Sequence, residues 1–210
     1  MGELAFGVGK YAIAEQHYRD ALTTMPGYFR ALASLGRVRV ARGDPQDAIT
    51  QYEHAIAIIP DPSFVAALGD LDKYVLRNED AEKNYKLFEV ISNLGIYSRQ
   101  QALFYADHDI KLQQAHSIAA KEYLVRKDIY GADALAWTAL KAGKLNEAQA
   151  AIQQALRLGT QDAKLFYHAG EIAKAASTEL AALDYFKRAS ALNPEFDPLQ
   201  AARMRKTYSN

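Results

Sequence analysis

The chain has 210 residues, half of them hydrophobic, and its 25 basic and 25 acidic side chains cancel. That apolar content is enough for a packed core and excludes general disorder, while the balanced charge removes the positive field expected of a nucleic-acid binder. Cysteine is absent, which excludes disulfides and thiolate metal or redox sites. No apolar run nears the roughly 20 residues that cross a bilayer, and Met1 to Lys10 lacks the pattern of a secretion signal. The expectation is a soluble chain of cytoplasm or periplasm, not inserted in a membrane.

Taken in order, the elements repeat. A small residue followed by a large one four places on, another small one at seven and proline at twelve gives Ala14, Tyr18, Ala21 and Pro26. Ala48, Tyr52, Ala55 and Pro60 repeat it, then Ala81 with Tyr85, Ala115, Ala148 with Ile152 and Ala155, and Ala182, Phe186, Ala189 and Pro194. The alanines step by 34, 33, 34, 33 and 34 residues, a register that chance does not hold over six units. Each of these segments predicts a helix, near 11–25, 45–59, 79–93, 112–126, 145–158 and 179–192. Between them, helices are expected near 29–42, 62–76, 97–108, 129–142 and 162–175. Proline ends the later helix of a pair because it has no N–H to give to a continuing turn. Asp44 before Pro45 reads as a capped first turn. Gly9, Gly43, Asn78 and Gly143 are placed in the turns within pairs, where a left-handed residue is wanted.

These residues, with Leu35-Gly36, Leu68-Gly69 and Ala169-Gly170 where a neighbouring helix passes close, resemble the tetratricopeptide repeat (TPR) family. Stretches such as Gln101 to Asp109, Arg126 to Gly131 and Ala134 to Trp137 look like segments of bacterial TPR proteins of unassigned function. The resemblance implies an all-α fold, a right-handed α-solenoid of antiparallel helix pairs A and B, the TPR superhelix. It covers residues 1–210 as one array. The expected units are a truncated first repeat over 1–26, complete repeats over 27–60, 61–94, 95–128, 129–160 and 161–194, and a polar C-terminal capping helix over 195–210 that covers the last repeat. The fourth of these six is the least regular: Ala119 stands where an aromatic is usual, and no proline ends it.

Candidate chemistry is sparse. Gly7-Val8-Gly9-Lys10 lacks the spacing and the Ser or Thr of a phosphate loop. The five histidines never sit one helical turn apart, as two metal ligands on one helix would. Asp107-His108-Asp109 could orient an imidazole, but no nucleophile motif accompanies it, and a cap and turn is the simpler reading. The chain is therefore expected to be no enzyme and to need no cofactor or metal.

The resemblance implies that the A helices line a concave groove that takes a protein or peptide ligand. Projection along the repeat names Arg30 and Arg37 in the first complete unit, then Asp70, Lys73 and Tyr74, then Tyr97, Gln101, Phe104 and His108. Tyr130, Asp133, Trp137 and Lys141 follow, and Tyr167, His168, Glu171 and Lys174 end the series. Aromatics bring contact area at low entropy cost and polar groups set register. Members that clamp chaperone C-termini use asparagine and basic residues in helix A; the comparable places hold Ala33, Ser34, Arg37, Ala66, Ala67 and Asp70, so that clamp is not expected. A second possibility is a homo-oligomer formed through the incomplete first unit.

Overall fold

The computed structural model describes residues 1–208, so Ser209 and Asn210 of the expected capping helix lie outside it. Thirteen helices and no strands are found among the described residues. The chain divides into two compact units, Met1–Tyr97 and Ser98–Asn210.

The first unit holds α1 (Gly2–Gly7), α2 (Tyr11–Thr24), α3 (Phe29–Ala41), α4 (Pro45–Ile58), α5 (Pro62–Tyr74) and α6 (Asn78–Ser92). The second holds α7 (Ser98–Asp107), α8 (Leu112–Val125), α9 (Ile129–Lys141), α10 (Leu145–Leu156), α11 (Ala163–Ala175), α12 (Glu179–Leu192) and α13 (Pro198–Tyr208). From α1 to α12 each odd helix pairs with the even one after it, the helix-pair architecture of an α-solenoid. The helix ends fall close to those expected because their signals are local. Asp44, Asp61, Asp128 and Asp162 each accept a backbone N–H of their own helix, at 3.2, 2.9, 2.7 and 2.9 Å. Met25, Ile59 and Asn193, each before a proline, leave the helical region and close α2, α4 and α12.

The core is built from small residues of one helix against rings of the next. A Cβ on Gly36 would lie 3.0 Å from the Tyr52 ring, and one on Gly69 2.7 Å from Tyr85. Ala14, Ala48, Ala115, Ala148, Ala182 and their partners are almost fully buried. The register also explains the irregular repeat. Leu103 stands at the glycine position opposite Ala119, and Ala136 at the glycine position opposite Ile152, so side-chain volume moves from one helix to the other without being lost.

One turn differs from expectation. The left-handed residue after α5 is Leu76, at φ 65°, while Asn78 is already the first residue of α6. Leu76 is in register with Gly43, 33 residues earlier. It is 81% exposed, so its side chain gains little from packing. Leu76→Gly is expected to stabilise the protein by about 0.5 kcal/mol, the relief of left-handed strain less the added freedom of the unfolded chain. A thermal melt that shows no rise contradicts this.

The turn after α3 is tied by charge. Glu15 takes Arg19, Arg39 and Arg42 at 2.8, 2.7 and 2.5 Å, and its side chain is 12% exposed. Burial by itself raises the Glu15 carboxyl, but the Arg19 hydrogen bond and the charges of Arg39 and Arg42 outweigh it and hold the group below its ordinary 4.5. A depressed folded value gives stability that is present above pH 4.5 and is lost as pH falls through the lower folded value. Glu15→Gln is therefore expected to lower stability by about 1 kcal/mol at neutral pH and to converge with the parent in acid. Urea titrations across pH check this; a constant difference at every pH contradicts it.

Candidate binding site

In the first unit, α1, α3 and α5 line a cleft of about 620 Å³ with Glu3, Tyr28, Arg30, Ser34, Phe64 and Ala67 among its walls. At its centre Glu3 accepts from Tyr18 Oη at 2.7 Å, Ser34 Oγ at 2.9 Å and Arg37 at 2.6 Å. The Arg37 guanidinium also lies over the Phe6 ring, 4.3 Å from its centroid. Burial pulls the Glu3 carboxyl upward, yet Arg37 and the donated hydrogen bonds keep it below the usual range, while burial and Glu3 push the Tyr18 phenol up to about 12. The same pair recurs further along: Tyr85 Oη donates to Asp70 at 2.8 Å, again across 15 residues. A tyrosine of the second helix thus anchors the carboxylate of the first. Arg30 is exposed at the cleft mouth, Lys73 and Tyr74 are exposed, and Tyr97 is half-buried where this unit ends.

The second unit is different. Gln101, Phe104, Asp133, Trp137, Tyr167 and His168, expected to face an open groove, are buried. The cause is α13. It lies on α11 and α12, where Met204 joins the core with Phe166 and Phe186 and Tyr208 stacks on Phe186, and it also bonds to Asp107 at the end of α7. Asp197 caps α13 and takes the Lys164 ammonium at 3.0 Å. Gln200, with no exposed surface, donates to Asp107 Oδ1 at 2.7 Å and to His168 Nε2 at 3.0 Å. Trp137 Nε1 donates to the same Asp107 oxygen at 2.8 Å, and its ring stacks on His168 at 4.3 Å and 10°. Because the Gln200 amide gives its hydrogens to Asp107 and His168, the imidazole accepts at Nε2 and donates from Nδ1 to Asp133 Oδ1 at 2.8 Å. Arg203 donates to the Asp107 carbonyl at 2.9 Å, and Tyr208 stacks on Phe186 at 4.0 Å.

Electrostatics tie the segment down. Burial opposes both charges, but the Lys164 ammonium holds the Asp197 carboxyl below its usual range, and Asp197 with Asp107 holds the amine above its own. A space of about 580 Å³ stays open beside α13, lined by Trp137, Lys141, Glu171, Lys174 and Arg203 among others. Lys141 pairs with Asp109 there. Burial raises the Glu171 carboxyl against the pull of Lys174 and Lys141. His108 is half-buried, donating Nδ1 to the Phe104 carbonyl at 2.8 Å; Tyr130 and Lys174 are exposed.

Projection missed Glu3, Lys164, Asp107 and Gln200 of these clusters. Glu3 lies 34 residues before Arg37, and Lys164 lies 34 after Tyr130, so extending the register by one step in each direction finds both. Asp107, read as a cap and turn, is in fact the acceptor at the centre of the second unit. Nothing local to Gln200 marks it as buried.

Among the described residues no helix is long and apolar enough to cross a membrane, and no group of three or more acidic or His side chains is placed to hold a metal ion. Residues 1–62 and 134–195 match the family model of the tetratricopeptide repeat. The chain belongs to the tetratricopeptide repeat family. No curated protein matches its sequence. Among solved structures it is similar to a chain of the APC/C hetero-tetramer Cut9–Hcn1, with 17% identity and a TM-score of 0.55 over 94% of this chain and 39% of that one. It is also similar to PilW, a widely conserved type IV pilus biogenesis factor, with 18% identity and a TM-score of 0.50 over 92% and 90% of the two chains. PilF of Pseudomonas aeruginosa has 20% identity and a TM-score of 0.48 over 96% and 94%. At these identities the likeness is one of fold.

Proposed function

We propose that the chain is a non-catalytic protein-binding scaffold that holds a segment of another protein on the first helices of its pairs. The observation that supports this reading is α13: in the second unit those helices already hold a helix, through a buried stripe and a set of polar bonds. The equivalent face of the first unit has the same kind of wall, with Arg30 in register with Lys164 and Arg37 in register with Trp137, and its cleft is open. A segment with an acidic group would meet Arg30 as Asp197 meets Lys164.

A photo-reactive residue at Arg30 or Ala67 is expected to crosslink a partner segment in extracts, whereas the same group at exposed Thr50 on α4 is not. Arg30→Glu is expected to reduce capture about tenfold. Crosslinks confined to the α4 side, or capture untouched by Arg30→Glu, sink the reading. Self-assembly has one observation in its favour, the exposure of Met1, Leu4 and Val8 on and beside α1. Sedimentation that shows a single monomeric species across concentration removes it.

A further inference from the structure

In the second unit α13 meets the face beneath it along one stripe. Asp197, Gln200, Ala201, Met204 and Tyr208 fall at intervals of three, one, three and four residues, which places them on one side of a helix. Of its eleven residues only Gln200, Ala201 and Met204 are buried, while Ala202, Arg203, Arg205, Lys206 and Thr207 face solvent. An amphipathic helix laid into a groove docks in this way. Like α12, whose Ala182, Phe186 and Ala189 are buried, α13 reaches the core, through Met204, but its stripe also carries the polar Asp197 and Gln200.

The contacts that hold the stripe are mostly polar: Asp197 to Lys164, Gln200 to Asp107 and His168, and Arg203 to the Asp107 carbonyl. Water can replace each of these when the helix lifts, and the apolar cost of release falls on Ala201, Met204, the edge of Tyr208 and the Trp137 and Tyr167 rings that they cover. Docking also leaves the Gln200 Oε1 atom buried with no partner, a penalty that release removes.

We infer that α13 is a detachable occupant of the second unit, and that the face beneath it is a binding site for an amphipathic helix of the same pattern. That pattern is an acidic cap, glutamine three residues later, a small residue next to it and methionine at seven. Lys164 selects the cap, Asp107 with His168 selects the amide, and the ring cluster around Trp137 takes the apolar side chain. The inference rests on the reading of these faces as binding surfaces, but its test uses another unit and another probe than the crosslinking above, so either can fail alone.

Trp137 is the only tryptophan and lies under the stripe, which makes its emission a reporter of docking. The full chain carrying Asp197→Ala, Gln200→Ala and Met204→Ala together is mixed with a labelled synthetic peptide of residues 193–208. The triple variant is expected to show red-shifted emission alone, to recover the parent emission as peptide binds, and to bind it at least about tenfold more tightly than the parent chain does. A peptide carrying Gln200→Ala and Met204→Ala is expected not to bind. A folded variant that ignores the peptide overturns the inference. Should the variant not fold, hydrogen exchange on the unaltered chain decides: α13 amides exchanging at least about tenfold faster than those of α11 and α12 support detachment, and equal protection overturns it.

Discussion

Gly170→Ala is expected to destabilise the protein by about 2 kcal/mol, an overpacking penalty of up to about 3 kcal/mol offset by the better helix propensity of alanine. The added methyl would sit 2.4 Å from Cε1 of Phe186 and 2.7 Å from its Cδ1. The ring has little freedom to move, since Tyr208 stacks on it at 4.0 Å and Tyr167 lies at 6.1 Å. Gly36→Ala makes a useful contrast: its methyl would stop 3.0 Å from Tyr52, so overpacking and propensity nearly cancel and the change is expected to stay within about 0.5 kcal/mol. Adding Phe186→Ile to Gly170→Ala is expected to recover part of the loss, because Ala136 beside Ile152 is the combination the chain already uses one repeat earlier. Urea unfolding of the three variants checks the series. A Gly170→Ala protein as stable as its parent, or strictly additive effects of the pair, contradicts the packing account.

Asp107→Ala is expected to cost about 3 kcal/mol, since it strands the Trp137 N–H and one Gln200 hydrogen in a dry site and removes a carboxylate from beside Lys164. The three groups stand 2.8, 2.7 and 3.6 Å from the Asp107 oxygens. Asp107→Asn keeps an acceptor oxygen and should cost about half as much, the remainder reflecting the lost charge next to the ammonium. Both variants should shift Trp137 emission to the red, and Asp107→Ala should lower the melting temperature more. An unchanged melting temperature for Asp107→Ala means that the network around Gln200 and Trp137 contributes no net stability.

The positions of the helices were legible because their causes lie within a few residues of each other. Asp44 with Pro45, Met25 before Pro26 and the alanines at steps of 33 and 34 act through the local backbone and through the next helix, so a linear pattern records them. The turn at Leu76 was displaced by two residues because Asn78 has the chemistry of a left-handed residue and Leu76 does not; only the register with Gly43 points to it. The faces of the first helices were legible in part. Arg30, Lys73 and Tyr74 are exposed, and Glu3 and Lys164 follow when the register is extended. Trp137, Tyr167 and His168 occupy the expected register yet are buried, because periodicity states which side of a helix a residue is on and not what covers that side.

By itself, the sequence determined an all-α chain of paired helices with a fixed repeat, most of its helix ends and turns, and the residues that let neighbouring helices approach. It did so because each of those features is set by the few residues around it. What only the tertiary structure decided is the occupant of the second unit. Gln200 reaches Asp107 across 93 positions and Arg203 reaches the same turn across 96, and a pairing of that span leaves no periodic trace. The physical reason is that a single helix docked by polar bonds needs only a few matched side chains, and those residue types are as common on free surfaces as on held ones.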